Sequence, residues 1–209
     1  MAEQGGGADS FSAKKVEFEK WLRRRSQLVL QPLAGILGRL GLTPNMLTMI
    51  GVGLNILVAV VLGTGSLKLG GVLLLLSSSF DALDGTLARL TGQHSPFGAF
   101  FDSTLDRYSE AIVYGGLLYY FIEQNASPEP FLVYAAIIGS LMVSYSRARA
   151  EGIGAECKVG LLTRAERVLV LAAGLIFGLL TPALWVVAVL SNFTALQRIV
   201  YVRRVTKTS

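Results

Sequence analysis

Along this chain long apolar runs alternate with short polar breaks, and the breaks define the elements. No charged residue occurs between Arg39 and Lys68. One helix of about 20 residues, over roughly 45–64, can therefore cross a bilayer. It follows the segment TPNMLT (43–48), in which Thr43 suits a helix cap and Pro44 a first turn. Further spans are expected at about 69–90, 97–121, 131–150 and 164–180. A sixth opens at Pro182 and ends among Arg203, Arg204 and Lys207. The separating breaks are Thr91 to Pro96, EQNASPEP (123–130) and EGIGAECKVGLLT (151–163). The pattern predicts an all-α integral membrane fold with six spans within residues 43–205.

Ahead of these spans the period changes. Over 11–42, Phe11, Val16, Phe18, Trp21, Leu22, Leu28, Leu33 and Ile36 are interleaved with Lys14, Lys15, Lys20, Arg23, Arg24, Arg25 and Arg39. That mixture predicts an amphipathic helix in the headgroup region, its basic face toward anionic lipid. Residues 1–10 are Gly-rich and are expected to be disordered.

Composition agrees with the pattern. Of 209 residues 52% are hydrophobic, and a mean hydropathy of +0.55 is too high for a soluble domain. The net charge of +5 matters through its placement. Of the 19 lysines and arginines, all but Lys68 and Arg107 fall before the first span, at Arg89, around the loop before the fifth span, or at the C-terminal end. The positive-inside rule then puts both termini and the 91–96 turn on the cytoplasmic side of a multi-pass protein of the cell membrane. Cys157 is the single cysteine and excludes an internal disulfide. No cleavable signal peptide is evident, and no nucleic-acid partner is expected.

The chemistry lies between the second and third spans, in DALDGTLARLTGQHSPFGAFFDSTLD (81–106). Asp81 and Asp84 are three residues apart, and Asp102 and Asp106 four, so on helices each pair shares a face. Asp81 with Asp106, and Asp84 with Asp102, are nearly equidistant from the 91–96 turn. All four acids therefore fall at nearly one depth, roughly 10–20 Å below the helix ends at about 1.5 Å per residue. A carboxylate at mid-bilayer costs about 2.5–3.5 kcal/mol, and four together repel. Such a cluster persists only if it is protonated or if a multivalent cation neutralises it. Hard oxygen ligands suit Mg²⁺, Mn²⁺ or Ca²⁺, and four acids can hold two ions. Gly85, Ala88 and Gly98 leave space beside the acids, and Arg89 could meet a phosphate. A divalent-cation transport path or a proton relay is the competing reading, but the other spans bring no further acids to continue a path. Glu110 is expected to pair with Arg107, and His94 to be solvated. Gly51, Gly53, Gly70 and Gly71 read as packing residues of membrane helices.

Asp81-x-x-Asp84-Gly85-x-x-Ala88-Arg89, eight further residues, then Gly98-x-x-x-Asp102-x-x-x-Asp106 resembles in full the signature of the CDP-alcohol phosphotransferase family. The resemblance covers about residues 40–205. It implies transfer of a phosphoalcohol group with release of CMP, inside the bilayer. It further implies that Asp81, Asp84, Asp102 and Asp106 bind two ions, Mg²⁺ with Mn²⁺ as the alternative, and that Asp106 is also the general base. Pro44, Asn45, Met46, Leu47, Gly85, Arg89 and Ser95 would contact the CDP-lipid. Members are commonly homodimers, and a homodimer is expected on that analogy.

Arginines bear on the acceptor. SYSRARAEG (144–152), TRAER (163–167) and LQR (196–198) place Arg147, Arg149, Arg164, Arg167 and Arg198 near one cytoplasmic rim. A converging set would suit a phosphorylated acceptor; orientation and snorkelling are the plain alternative. These segments also resemble the phosphatidylinositol phosphate and archaetidylinositol phosphate synthases within the family. Those use CDP-diacylglycerol, or its ether-lipid analogue, and inositol 1-phosphate. Their pattern carries Lys where this chain has Arg147. Glycerol 3-phosphate is the alternative acceptor.

Overall fold

A computed structural model describes residues 30–207. The expected disorder of 1–10, and the part of the interfacial helix before residue 30, lie outside the described residues. Beyond residue 43 there are six helices: α1 (Pro44–Gly63), α2 (Leu67–Thr91), α3 (Pro96–Glu123), α4 (Glu129–Gly152), α5 (Arg164–Phe177) and α6 (Leu180–Val205). No strand occurs among the described residues.

Local chemistry accounts for the helix ends. Thr43 accepts from the Met46 N–H at 3.3 Å, and Pro44 opens α1. Gly92, at φ 66°, ends α2 in the left-handed region. Three residues later Ser95 caps α3, accepting from the Gly98 N–H at 2.9 Å. The expected turn is thus a glycine stop followed directly by a serine start.

The helices pack in a closed order, α1 to α2, α2 to α5, α5 to α6, α6 to α4, α4 to α3 and α3 back to α1. Their shared core contains Val58, Leu62, Leu74, Leu117, Leu171, Leu175, Leu184 and Val187. Small residues set the closest approaches: a Cβ on Gly116 would strike the backbone of Ala59. The outward surface is the reverse of a soluble protein's. Met49, Ile56, Val60, Phe131, Trp185 and Phe193 are all exposed, as expected of side chains that face acyl chains.

Four helices, α1, α2, α4 and α6, are long and apolar enough to cross a membrane, so the chain is a multi-pass membrane protein. The six expected spans are not all matched on that measure. α5 has only 14 residues, and α3 carries Asp102, Asp106, Arg107 and Glu110 within its length. Of the expected amphipathic segment, residues 30–39 are helical. There Ala34 is buried with Leu47, Leu83 and Leu87, while Leu33 and Ile36 remain exposed. This stretch therefore covers the ends of α1 and α2 with one side and leaves an apolar side free.

Candidate active site

α2 and α3 descend from the 92–95 turn but hardly touch beyond it; α1 packs against both. The crevice between them is where the four acids stand. Thr48, on α1, donates its hydroxyl to Asp84 Oδ2 at 2.8 Å in a buried contact. Asp81 lies directly against Gly51, where a Cβ would come within 2.7 Å of its Oδ1. Sequence reasoning passed over both residues as supports of the acids. The available signal was a hydroxyl and a glycine three residues apart near the head of a span without charges.

Asp84 and Asp102 line a pocket of about 180 Å³ together with Pro44, Asn45, Gly85, Arg89, Ser95 and Gly98. Five of the seven residues expected at the CDP-lipid are thus assembled beside the acids. Met46 and Leu47 are not. Leu47 is buried in the apolar cluster with Leu83 and Leu87, and the Met46 side chain is exposed. On a helix beginning at Pro44, those two positions turn away from the face that carries Asn45 and Thr48.

The second pair of acids is held differently. Arg164, the first residue of α5, donates Nη2 to Asp81 Oδ2 and Nη1 to Asp106 Oδ1, both at 2.7 Å. One guanidinium thus joins an acid from each signature helix. Arg107 Nη1 stands 3.7 Å from Asp106 Oδ2. The expected Arg107–Glu110 pair does not form. Glu110 instead takes Arg167, through Nε at 2.7 Å and Nη2 at 2.9 Å. A bidentate partner across the bundle outcompetes a neighbour on the same helix.

The five arginines expected to converge are dispersed. Arg164 and Arg167 face the bundle interior, beside Asp81 and Glu110. Arg147 pairs with Glu151 at 2.8 Å and lines a groove of about 950 Å³ between α3 and α4. Arg149 and Arg198 border a separate groove of about 320 Å³ between α4 and α6. Arg198 donates to the carbonyls of Val159, at 2.8 Å, and Val143. For the buried Arg167 and Arg198 the reason is physical: a buried guanidinium takes whatever acceptor is at hand, since leaving it unmet is costly.

Among the described residues no three His, Cys, Asp or Glu side chains already converge as a metal-ligand set; Arg164 stands between Asp81 and Asp106. The donors still fit a divalent cation in character. They are carboxylates from two helices, two of them already neutralised by a cationic side chain, with glycine in place of a side chain beside Asp81.

The profile of the CDP-alcohol phosphatidyltransferase family matches residues 41–197. The chain belongs to this family and is an enzyme of phospholipid synthesis. It is similar to the phosphatidylinositol phosphate synthase of Corynebacterium glutamicum, 34% identical over 187 residues and covering 85% of each chain. It is 38% identical over 180 residues to the archaetidylinositol phosphate synthase of Pyrococcus horikoshii, covering 82% of this chain and 90% of that one. Among solved structures, the Mycobacterium tuberculosis phosphatidylinositol phosphate synthase with CDP-DAG bound superposes with TM-score 0.78 at 31% identity, over 83% of this chain and 93% of that one. The same enzyme in complex with manganese and citrate gives 0.79, over 83% and 88%.

Proposed function

We propose that this family member transfers the phosphatidyl group of CDP-diacylglycerol, or of its ether-lipid analogue, to a hydroxyl of inositol 1-phosphate and releases CMP. The observation that carries the reading is the crevice itself. Asp84 and Asp102 line it with Pro44, Asn45, Gly85, Arg89 and Ser95, and Arg164 joins Asp81 on α2 to Asp106 on α3. Likeness to inositol phosphate synthases from bacteria and an archaeon supports the acceptor.

In the proposed reaction the acceptor hydroxyl attacks the phosphorus that bears the lipid. A new P–O bond forms, the bond to CMP breaks, and the hydroxyl proton passes to the Asp106 carboxylate. Two divalent ions held by Asp81, Asp84, Asp102 and Asp106, Mg²⁺ or Mn²⁺, would offset charge on the diphosphate and on departing CMP. Thr48 holds Asp84 in place, and Arg89 and Ser95 orient the nucleotide end. Arg147, Arg149 and Arg198 are assigned to the acceptor phosphate, a role for which Arg147 would exchange Glu151, while Arg167 stays on Glu110.

The proposal places α3 and α5 across the membrane with the other four helices. The cost of their charges is offset by the Asp106–Arg164 and Glu110–Arg167 pairs. Both termini lie on the cytoplasmic side, and the working form is a homodimer.

CMP release from CDP-diacylglycerol, measured with inositol 1-phosphate, glycerol 3-phosphate and free inositol in turn, tests this reading. Release with inositol 1-phosphate alone is expected. Release with glycerol 3-phosphate alone would replace the acceptor. Metal uptake into vesicles without CMP release with any of them would remove the transferase reading altogether.

A further inference from the structure

Arg164 is held at the head of α5 by the cap behind it. Thr163 is the N-cap, and its N–H donates to Glu166 Oε2 at 2.6 Å. From this fixed point a long side chain reaches into the crevice and bridges Asp81 and Asp106 at 2.7 Å each. Its Nε is buried with no acceptor, and the side chain stays 30% exposed. Arg167, one turn on, satisfies one carboxylate with two donors. Arg164 divides itself between two carboxylates on different helices and leaves a donor over. It supplies the positive charge this pair of acids needs without a fully satisfied hydrogen-bond geometry of its own.

We propose that Arg164 is a displaceable counter-cation: it neutralises Asp81 and Asp106 while they hold no metal, and leaves both when divalent ions bind. Two reasons require the exchange. Arg164 occupies one oxygen of each carboxylate, Asp81 Oδ2 and Asp106 Oδ1, and so takes up donor capacity that a metal would need. A guanidinium and a metal ion sharing the same low-dielectric crevice also repel. Once released, the guanidinium lies on the crevice wall in need of an anion, and a substrate phosphate is the anion then present. Metal and phosphate binding are thereby coupled through one side chain, and such coupling is reciprocal. This inference rests on the reading of Asp81 and Asp106 as metal ligands.

Mn²⁺ binding to the full chain in lipid nanodiscs, followed by the resonance signal of free Mn²⁺ without substrate, tests it. Arg164→Gln should bind Mn²⁺ roughly tenfold tighter than the unmodified enzyme, within the span of about 5- to 150-fold usual for coupled sites. Arg164→Lys, whose single ammonium cannot bridge both acids in the same way, should fall between. A purely structural Arg164 predicts the opposite sign, so unchanged or weaker binding by Arg164→Gln overturns the proposal. A second measurement needs no variant. Labelling of Arg164 by phenylglyoxal, read by peptide mass spectrometry, should rise when Mn²⁺ is added at saturation, and labelling that stays level or falls overturns it too. If the unmodified enzyme binds no Mn²⁺ at all, the metal reading of the acids fails first, and this inference falls with it.

Discussion

Arg164 and Arg167 stand one turn apart on α5 and do different things with the same chemical group. Arg167 is 1% exposed and grips the single carboxylate of Glu110 with two donors. Arg164 is 30% exposed and reaches two carboxylates with one donor each. The first is a closed clasp between α5 and α3, with each charged group answered by the other. The second is an open one, in which the acids can exchange their partner for another cation. Burial and geometry, not residue type, separate a tie that holds the bundle together from one that can be released. The Arg147–Glu151 pair supplies a third point. Its side chains are about half exposed, at 52% and 53%, and such a pair contributes little to stability.

That ordering makes predictions that can break it. The largest effect is expected in the open clasp. Asp106→Asn should slow CMP release by about 10²–10⁴-fold, the usual worth of a positioned general base, while CDP-lipid binding and thermal stability change little. Near-normal turnover would remove Asp106 as the base, and a collapse in stability would show that the open clasp is structural after all. The closed clasp comes next. Glu110→Ala leaves Arg167 charged and unpaired in the interior, and should destabilise the bundle by about 3–5 kcal/mol, read as a lowered midpoint of thermal unfolding in detergent. If the midpoint hardly moves, Arg167 is not held by Glu110 in the way the distances imply. The smallest effect belongs to the exposed pair. Arg147→Ala should shift stability by no more than about 1 kcal/mol yet raise the Michaelis constant for inositol 1-phosphate. An unchanged constant would take Arg147 out of the acceptor site and leave it as an orienting surface charge.

Much of the architecture could be read from the chain because its causes are local. A charge-free run after Thr43–Pro44, the glycine stop at Gly92 and the serine start at Ser95 each act within a few residues, so the helices fall close to where the apolar pattern puts them. The acids were legible for the same reason: helical spacing and distance from one turn give face and depth without knowledge of any other element. The partners of those acids were not. Arg164 lies 83 residues from Asp81, and Arg167 lies 57 from Glu110. The pairing of Glu110 with Arg107 was expected because they are close in sequence, and it fails because α5 brings a better-shaped donor from across the bundle. Met46 and Leu47 were expected beside Asn45 because the family resemblance covers that stretch, although successive helical residues face in different directions.

The sequence alone therefore determined a helical membrane enzyme and four carboxylates collected at one level, since apolar runs, caps and helical periodicity need only nearest neighbours. Tertiary structure alone decided how those carboxylates are neutralised, which arginine fastens to one acid and which divides itself between two, and that Thr48 and Gly51 support the acids. Those outcomes depend on the order in which α1, α2, α3 and α5 pack around the crevice, and the competition for buried partners is settled only when the helices meet.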